Sequence, residues 1–290
     1  MTVIAFCGAS GGPGVTATAL SALLTWPLPN GRRVVLAECD PDGGSVAAGY
    51  LESRVFGDRG LHHLQIADRR GHLEEVFWQQ LLNLSEPEAD ANRLLLPGLI
   101  SPAQAVGLHQ TWPRLSQLFS DLEQREPGYD LLVDLGRSGA AGAASALARS
   151  ADLTLVVVRG TLRAAHAAKP RVDALRAALQ MHGRDSSRIG LVVIGEGQFR
   201  PRDIAEELQL PVFAELPFDE KTARVLTHGG DGGRGFANTP LMRKAAEMSR
   251  TLQALAVQEQ LRLHAPAEQQ RPTTLLRRLT TKGATHDTAR

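Results

Sequence analysis

Residues 7–24 read "CGASGGPGVTATALSALL", the end of an apolar run, then a glycine cluster, then residues at helical spacing. A strand, a glycine loop and a helix N-terminus in that order can build a phosphate nest, where backbone N–H groups converge and the helix dipole adds favourable field. Aligned on GxxxxGK[ST], Gly14 holds the second glycine and Thr16 keeps the hydroxyl that ligates magnesium, with Gly11 and Gly12 supplying the bend. Val15 stands where the lysine belongs, Ala9 replaces the first glycine, and Pro13 removes one N–H. The loop has lost a donor and a charge. Two other readings compete. Gly8-Ala9-Ser10-Gly11-Gly12 also satisfies the G-x-S-x-G turn of a serine hydrolase, and glycine-rich bends follow first strands in many α/β folds that bind nothing. Against the hydrolase, only nine residues precede Ser10, too few for the element that donates the second oxyanion N–H, and no histidine is marked as its base.

Along the rest of the chain, short runs rich in Val, Ile and Leu recur at 3–6, 34–37, 94–96, 131–135, 153–158, 190–194 and 212–216. They are continuous rather than alternating, as strands covered on both faces are, and helical spacing fills the gaps at "VTATALSALL", "PAQAVGLHQTWPRLSQLFSDLEQRE", "AHAAKPRVDALRAALQMH" and "RDIAEELQ". This predicts an α/β fold, a doubly wound and mostly parallel sheet with helices on both faces. Ligands in such folds bind outside the carboxyl ends of the strands. There the chain places its notable residues: Cys7 to Thr16, Glu38 to Gly44, and Asp134 to Gly139.

With 43% hydrophobic residues the chain can fill a sizeable core, and 32 basic against 31 acidic residues leave no global field to draw it onto nucleic acid or lipid. Cys7 and Cys39 each end an apolar run, which suits buried thiols, and no zinc spacing exists. His62, His63 and His72 in "LHHLQIADRRGH" have mixed spacing and read as a solvated surface. No apolar run approaches the ~18 residues of a membrane span and the opening "MTVIAFCGAS" has no charged leader, so a cytoplasmic location is expected. Two regions follow: a domain over residues 1–263, and a polar, basic, disordered tail over 264–290. "GGDGGRG" at 229–235 is expected to be a mobile loop.

The order of blocks resembles the ParA/MinD group of deviant Walker ATPases. Their loop KGGxGKT[ST] is matched by "SGGPGVTA" at 10–17, with Ser10 at the signature lysine that reaches across the dimer, Val15 at the phosphate lysine, and Ala17 departing. "VVLAECDPDGGS" at 34–45 is similar to switch I, placing Asp40 at the aspartate that orients the attacking water and Glu38 at the first aspartate. "GYDLLVDLGRSG" at 128–139 is similar to the Walker B and switch II block, with Asp134 as the magnesium aspartate. "SADLTLVVVRGTLRAAHAA" at 150–168 resembles the next strand, and "LPVFAELPFDEKTARVLTHGG" at 210–230 the adenine-holding block, with Pro217 at its proline. The asparagine expected after "GLVVI" is replaced by Gly195-Glu196. The resemblance spans residues 3 to 260.

The resemblance implies ATP and Mg²⁺ as cofactors, with Ser10, Gly11, Gly12, Gly14, Val15, Thr16 and Pro217 on the nucleotide, Thr16 and Asp134 on the metal, and Asp40 catalytic. It implies a spatial or assembly regulator for partition, division, or a secretion or pilus apparatus, located in the cytoplasm, at the membrane periphery or on the nucleoid. Missing lysines slow phosphoryl transfer by orders of magnitude, so weak or absent hydrolysis in a homodimeric protein–protein switch is expected. An active partition ATPase and a nucleotide-free scaffold are the alternatives. Dimer contacts are expected at Asp40 to Val46, Gly136 to Ala141 and Gly229 to Gly235, with a further protein partner. The tail stretch "TTLLRRLTTK" offers a basic amphipathic turn for weak DNA or membrane contact.

Overall fold

The computed structural model describes residues 1–9, 12, 14–53, 59–85 and 90–264. The tail over 265–290, and with it the expected basic turn, lies outside them. Among the described residues eight strands form one sheet in the order β3-β4-β2-β5-β1-β6-β7-β8. They are β1 (Val3–Gly8), β2 (Arg33–Glu38), β3 (Leu82–Asn83), β4 (Arg93–Leu96), β5 (Tyr129–Asp134), β6 (Leu153–Arg159), β7 (Ile189–Gly195) and β8 (Val212–Pro217). Every pair is parallel except β3 with β4. β3 carries no apolar run, and its two residues exist only because the chain folds back along an edge.

Among the described residues ten α-helices cover the sheet: α1 (Val15–Thr25), α2 (His62–Arg69), α3 (Leu73–Gln79), α4 (Ala103–Gly107), α5 (Thr111–Arg125), α6 (Ser145–Ser150), α7 (Leu162–Met181), α8 (Pro201–Leu208), α9 (Glu220–His228) and α10 (Pro240–His264). The stretch read as one long helix from residue 102 is two, α4 and α5. The continuous strands have both faces buried, as their pattern requires: Ile4, Phe6, Leu36 and Leu132 point into a core shared with α1 and α10, while Ala5, Val35, Leu131 and Val133 point into one shared with α5, α6 and α7.

The amino ends of the central strands are tied by one buried carboxylate. Asp130 is 2% exposed and accepts from Thr2 N and Oγ1 at 3.0 and 2.8 Å, Trp26 Nε1 at 2.9 Å, Arg32 at 2.8 Å and Gln253 Nε2 at 3.2 Å. It joins β1, α1, the approach to β2, and α10 at the end of the sheet away from the glycine loop. Burial pushes its carboxyl up, but the bonds from Trp26, Arg32 and Thr2 outweigh burial and hold it below the usual range.

Connections from β1 and β5 leave in opposite directions along the sheet, β1 toward β2 and β5 toward β6, which opens a crevice at their carboxyl ends.

Candidate functional site: the loops at the carboxyl ends of β1, β2 and β5

α1 starts directly after Gly14, whose φ of 91° is a left-handed conformation that glycine adopts without strain. Gly14 carries no side chain to cap this helix, and among the described residues none bonds its first N–H groups. Ser10, Gly11 and Pro13 lie outside the described residues; Gly12 and Gly14 have positive φ. Val15, at the phosphate-lysine position, is 5% exposed and belongs to the α1–α10 core. The substitution removes a cation and puts an apolar residue in its place. Val15→Lys is therefore expected to destabilise the protein by about 2 kcal/mol, because an ammonium on this stem must leave the core or be desolvated. Thermal melting together with calorimetric ATP titration checks this: unchanged melting with a gain in ATP affinity would show that the loop had lost only its charge.

Thr16 turns the other way. Its hydroxyl is close enough to the carboxyl of Asp134, the last residue of β5, to favour the charged form. Asp134 is 1% exposed and accepts Gly136 N at 2.9 Å; burial pushes its carboxyl up to about 6, against the Thr16 hydroxyl and the Gly136 amide and with help from Glu38. Asp40, half-buried after β2, is likewise raised to about 6, first by burial and then by the Asp134 and Asp42 charges. The Asp40 carboxylate lies against Gly136, whose φ of 55° and lack of Cβ permit the approach. Thus the structure brings Thr16, Asp40 and Asp134 together at one crevice mouth. Hydroxyl and carboxylate oxygens suit Mg²⁺. The phosphate side has no lysine among the described residues of the loop.

Two acids that the sequence left in the background organise the loops. Glu38, at the end of β2 beside Asp134, is 1% exposed. Its Oε1 accepts Ser45 N at 2.7 Å and Val46 N at 2.9 Å, and its Oε2 accepts Gly98 N at 3.1 Å. Burial raises its carboxyl and these amides oppose the rise. Gly44 and Gly98 meet main chain to main chain above it: a Cβ on Gly98 would stand 2.6 Å from the Gly44 Cα. Asp42 accepts Arg137 Nε at 3.0 Å and Ser138 Oγ at 2.8 Å, clasping the loop after β2 to the loop after β5. These bonds from Ser138 and Arg137 hold the Asp42 carboxyl below its usual range.

Positive charge arrives from elsewhere. Arg159, ending β6, donates to the Gly12 carbonyl at 3.1 Å, pairs with Glu196 at 2.6 Å and lies over the Phe218 ring at 5.8 Å. Arg171 of α7 reaches the Gly8 carbonyl at 3.4 Å. Glu196 follows β7 where the base-binding asparagine was expected, and Pro217 ends β8 opposite Gly195. At the start of the 229–235 stretch Gly229 closes α9 and packs against Gly49 and Glu52. Cys7 and Cys39 are buried free thiols, and burial pushes Cys7 up to about 12. The His62 and His63 rings meet at a 41° tilt with centroids 4.0 Å apart and are half-buried, so only His72 fits the solvated reading. Among the described residues no cluster of three or more His, Cys, Asp or Glu side chains is placed to hold a metal, and no helix is long and apolar enough to cross a membrane.

No family model matches the sequence, and no curated protein sequence matches it significantly. The structure has clear neighbours. A ParA family ATPase from Chlorobium tepidum superposes with a TM-score of 0.65 at 16% identity, over 87% of this chain and 98% of that one. The septum site-determining protein MinD from Pyrococcus horikoshii, solved with Mg-ADP, gives 0.64 at 15% identity over 89% and 98%. MinD in the MinC:MinD cell division complex of Aquifex aeolicus gives 0.64 at 16% identity over 88% and 96%. The chain has the P-loop fold of the ParA/MinD ATPases, across nearly the full length of these neighbours.

Proposed function

We propose that this chain is a spatial or assembly regulator of the ParA/MinD kind that works as a homodimeric protein–protein switch with weak or absent ATP hydrolysis. The observation that carries this reading is that side chains hold both switch loops. Glu38 takes the amides of Ser45, Val46 and Gly98, and Asp42 takes Arg137 and Ser138. A loop pinned by its own protein does not need a γ-phosphate to be ordered. The core-packed Val15 at the phosphate-lysine position supports slow chemistry, since removing one cation from a transferring phosphoryl group typically costs ~10²–10³-fold or more in rate.

Thr16 and Asp134 would hold magnesium, and Asp40 would orient a water. Bound ATP·Mg²⁺ would supply charge between the switch loops. Gly12, Gly14 and the α1 N-terminus would face its phosphates with Ser10 and Gly11, and Pro217 would border its base. A nucleotide-free scaffold is the second reading, favoured by the Arg159–Glu196 pair, which already engages the residue at the base-binding position. Domain limits of 1–263 with a 264–290 tail, and contacts of that tail with DNA or membrane, belong to the same proposal.

Purified full-length protein is expected to hydrolyse ATP at background rate with or without Mg²⁺, and to scatter light as a dimer at micromolar concentration. Ala141→Arg, on the exposed part of the loop after β5, is expected to weaken that dimer about tenfold. A magnesium-dependent rate abolished by Asp40→Ala would overturn the hydrolysis reading. A monomer with and without nucleotide would leave the scaffold ahead.

A further inference from the structure

A second surface lies apart from the nucleotide crevice, around α2. This helix buries Leu64, Ala67 and Asp68 and turns Ile66, Arg69 and, just beyond its end, Arg70 outward; Ile66 is 54% exposed. α4 lies beside it, with the Gly107 main chain against the Gln65 side chain, and presents Val106 at 80% exposure. A cleft of about 420 Å³ opens between Arg69 and Val106, floored by Thr111 and Arg114 of α5. On the other flank of α2 a cleft of about 400 Å³ opens between Ile66 and Arg70 on one side and Val76 of α3 on the other.

The charge here is asymmetric. Asp68 is consumed internally, accepting Thr111 Oγ1 at 2.9 Å and Arg114 at 2.8 Å. Glu75 is the other acid in the clefts, and it pairs with His72 at 3.5 Å. Arg69 and Arg70 are exposed and have no carboxylate within ion-pair distance among the described residues. Aliphatic side chains set in clefts beside unmatched guanidiniums ask for a ligand with apolar anchors and carboxylates.

We propose that α2 with its two clefts docks an acidic amphipathic segment of a partner protein, whose aliphatic side chains enter the clefts and whose carboxylates meet Arg69 and Arg70. The clefts are concave and, at about 400 Å³ each, can take more than one side chain, whereas a bilayer offers a flat face. Nucleic acid would leave Ile66 and Val106 without purpose. The chain's own 264–290 tail carries Arg277, Arg278 and Lys282 beside its leucines, the wrong charge for this surface. The site is also connected to the switch region. Between β4 and α4, Pro97 O accepts Leu61 N at 2.8 Å, Gly98 N donates to Glu38 at 3.1 Å and Leu99 O accepts Gly44 N at 2.7 Å. The stretch that carries α4 thus also holds the loop after β2, so a partner seated on α2 and α4 pulls on the same backbone as Glu38.

The test titrates the full-length protein with a synthetic helical peptide bearing leucines one turn apart and flanking glutamates, followed by fluorescence anisotropy and hydrogen exchange. A version with lysines for glutamates and phosphatidylglycerol vesicles run in parallel. The glutamate peptide is expected to bind, to protect the His62–Arg69 and Ala103–Gly107 amides, and to lose about tenfold or more in affinity with Arg69→Glu plus Arg70→Glu and with Ile66→Ser plus Val106→Ser. These side chains are on the surface, and unchanged melting temperatures verify that the variants fold. No binding, equal binding of the lysine peptide, protection elsewhere, indifference to either pair of substitutions, or vesicle binding with the same dependence on them would overturn the proposal.

Discussion

Asp130→Ala is expected to lower stability by about 3–5 kcal/mol, the usual consequence of removing one partner from a buried ionic cluster. Arg32 loses its carboxylate, and the indole N–H of Trp26, in a residue 1% exposed, loses its acceptor along with Thr2 N and Oγ1. At roughly 2–4 °C per kcal/mol for a chain of this size, the melting temperature should fall by about 10 °C. Because the Asp130 carboxyl is held below its usual range in the folded state, its contribution is present above the unfolded carboxylate value of about 3.9 and is lost as pH falls through the folded value. The gap between wild type and Asp130→Asn should accordingly be full at pH 7 and close toward pH 3. Circular dichroism melts across that range measure it. A shift under 2 °C at pH 7, or a gap that widens in acid, would contradict the staple role.

Glu38→Ala is expected to cost about 3 kcal/mol, since it strips the acceptor from three backbone amides, two in buried and one in part-buried surroundings. Water entering the space would lessen that figure but not the local effect. The diagnostic readout is hydrogen exchange: the Ser45, Val46 and Gly98 amides should exchange much faster while amides of β1 and β6 do not change. Glu38→Gln keeps an acceptor for Ser45 and Val46 and turns an NH₂ toward Gly98 N, so it should release Gly98 alone. Uniform exchange at all three amides in both variants, or none, would mean that the loop after β2 is held by something other than this carboxylate.

The two expectations differ in how visible they are along the chain. Asp130 sits in "GYDLLVD", where the second aspartate, Asp134, attracts attention because it ends an apolar run and fits a magnesium site. Asp130 begins that run and looks like an ordinary strand boundary. Its partners come from residues 2, 26, 32 and 253, and nothing local announces them. Glu38 reads as a conservative replacement for a family aspartate, yet it reaches Gly98, which is 60 residues away.

Local patterning was enough for seven of the eight described strands, their parallel arrangement and the crevice end at which Thr16, Asp40 and Asp134 gather, but not for the antiparallel edge strand β3. A strand buried on both faces must be apolar throughout, and a tight loop before a helix must be glycine-rich; both demands are met by neighbouring residues and can be read in order. Folding had to decide the rest: Val15 turned into the core, Asp42 clasped to Arg137 and Ser138, Arg159 brought to Gly12 across 147 residues, α4 split from α5, and α2 left with an uncovered face. Each of these depends on a hydrogen bond or a packing contact between segments distant in the chain. Such contacts leave no period and no spacing in the sequence, because what selects the residue is the neighbour it meets in space.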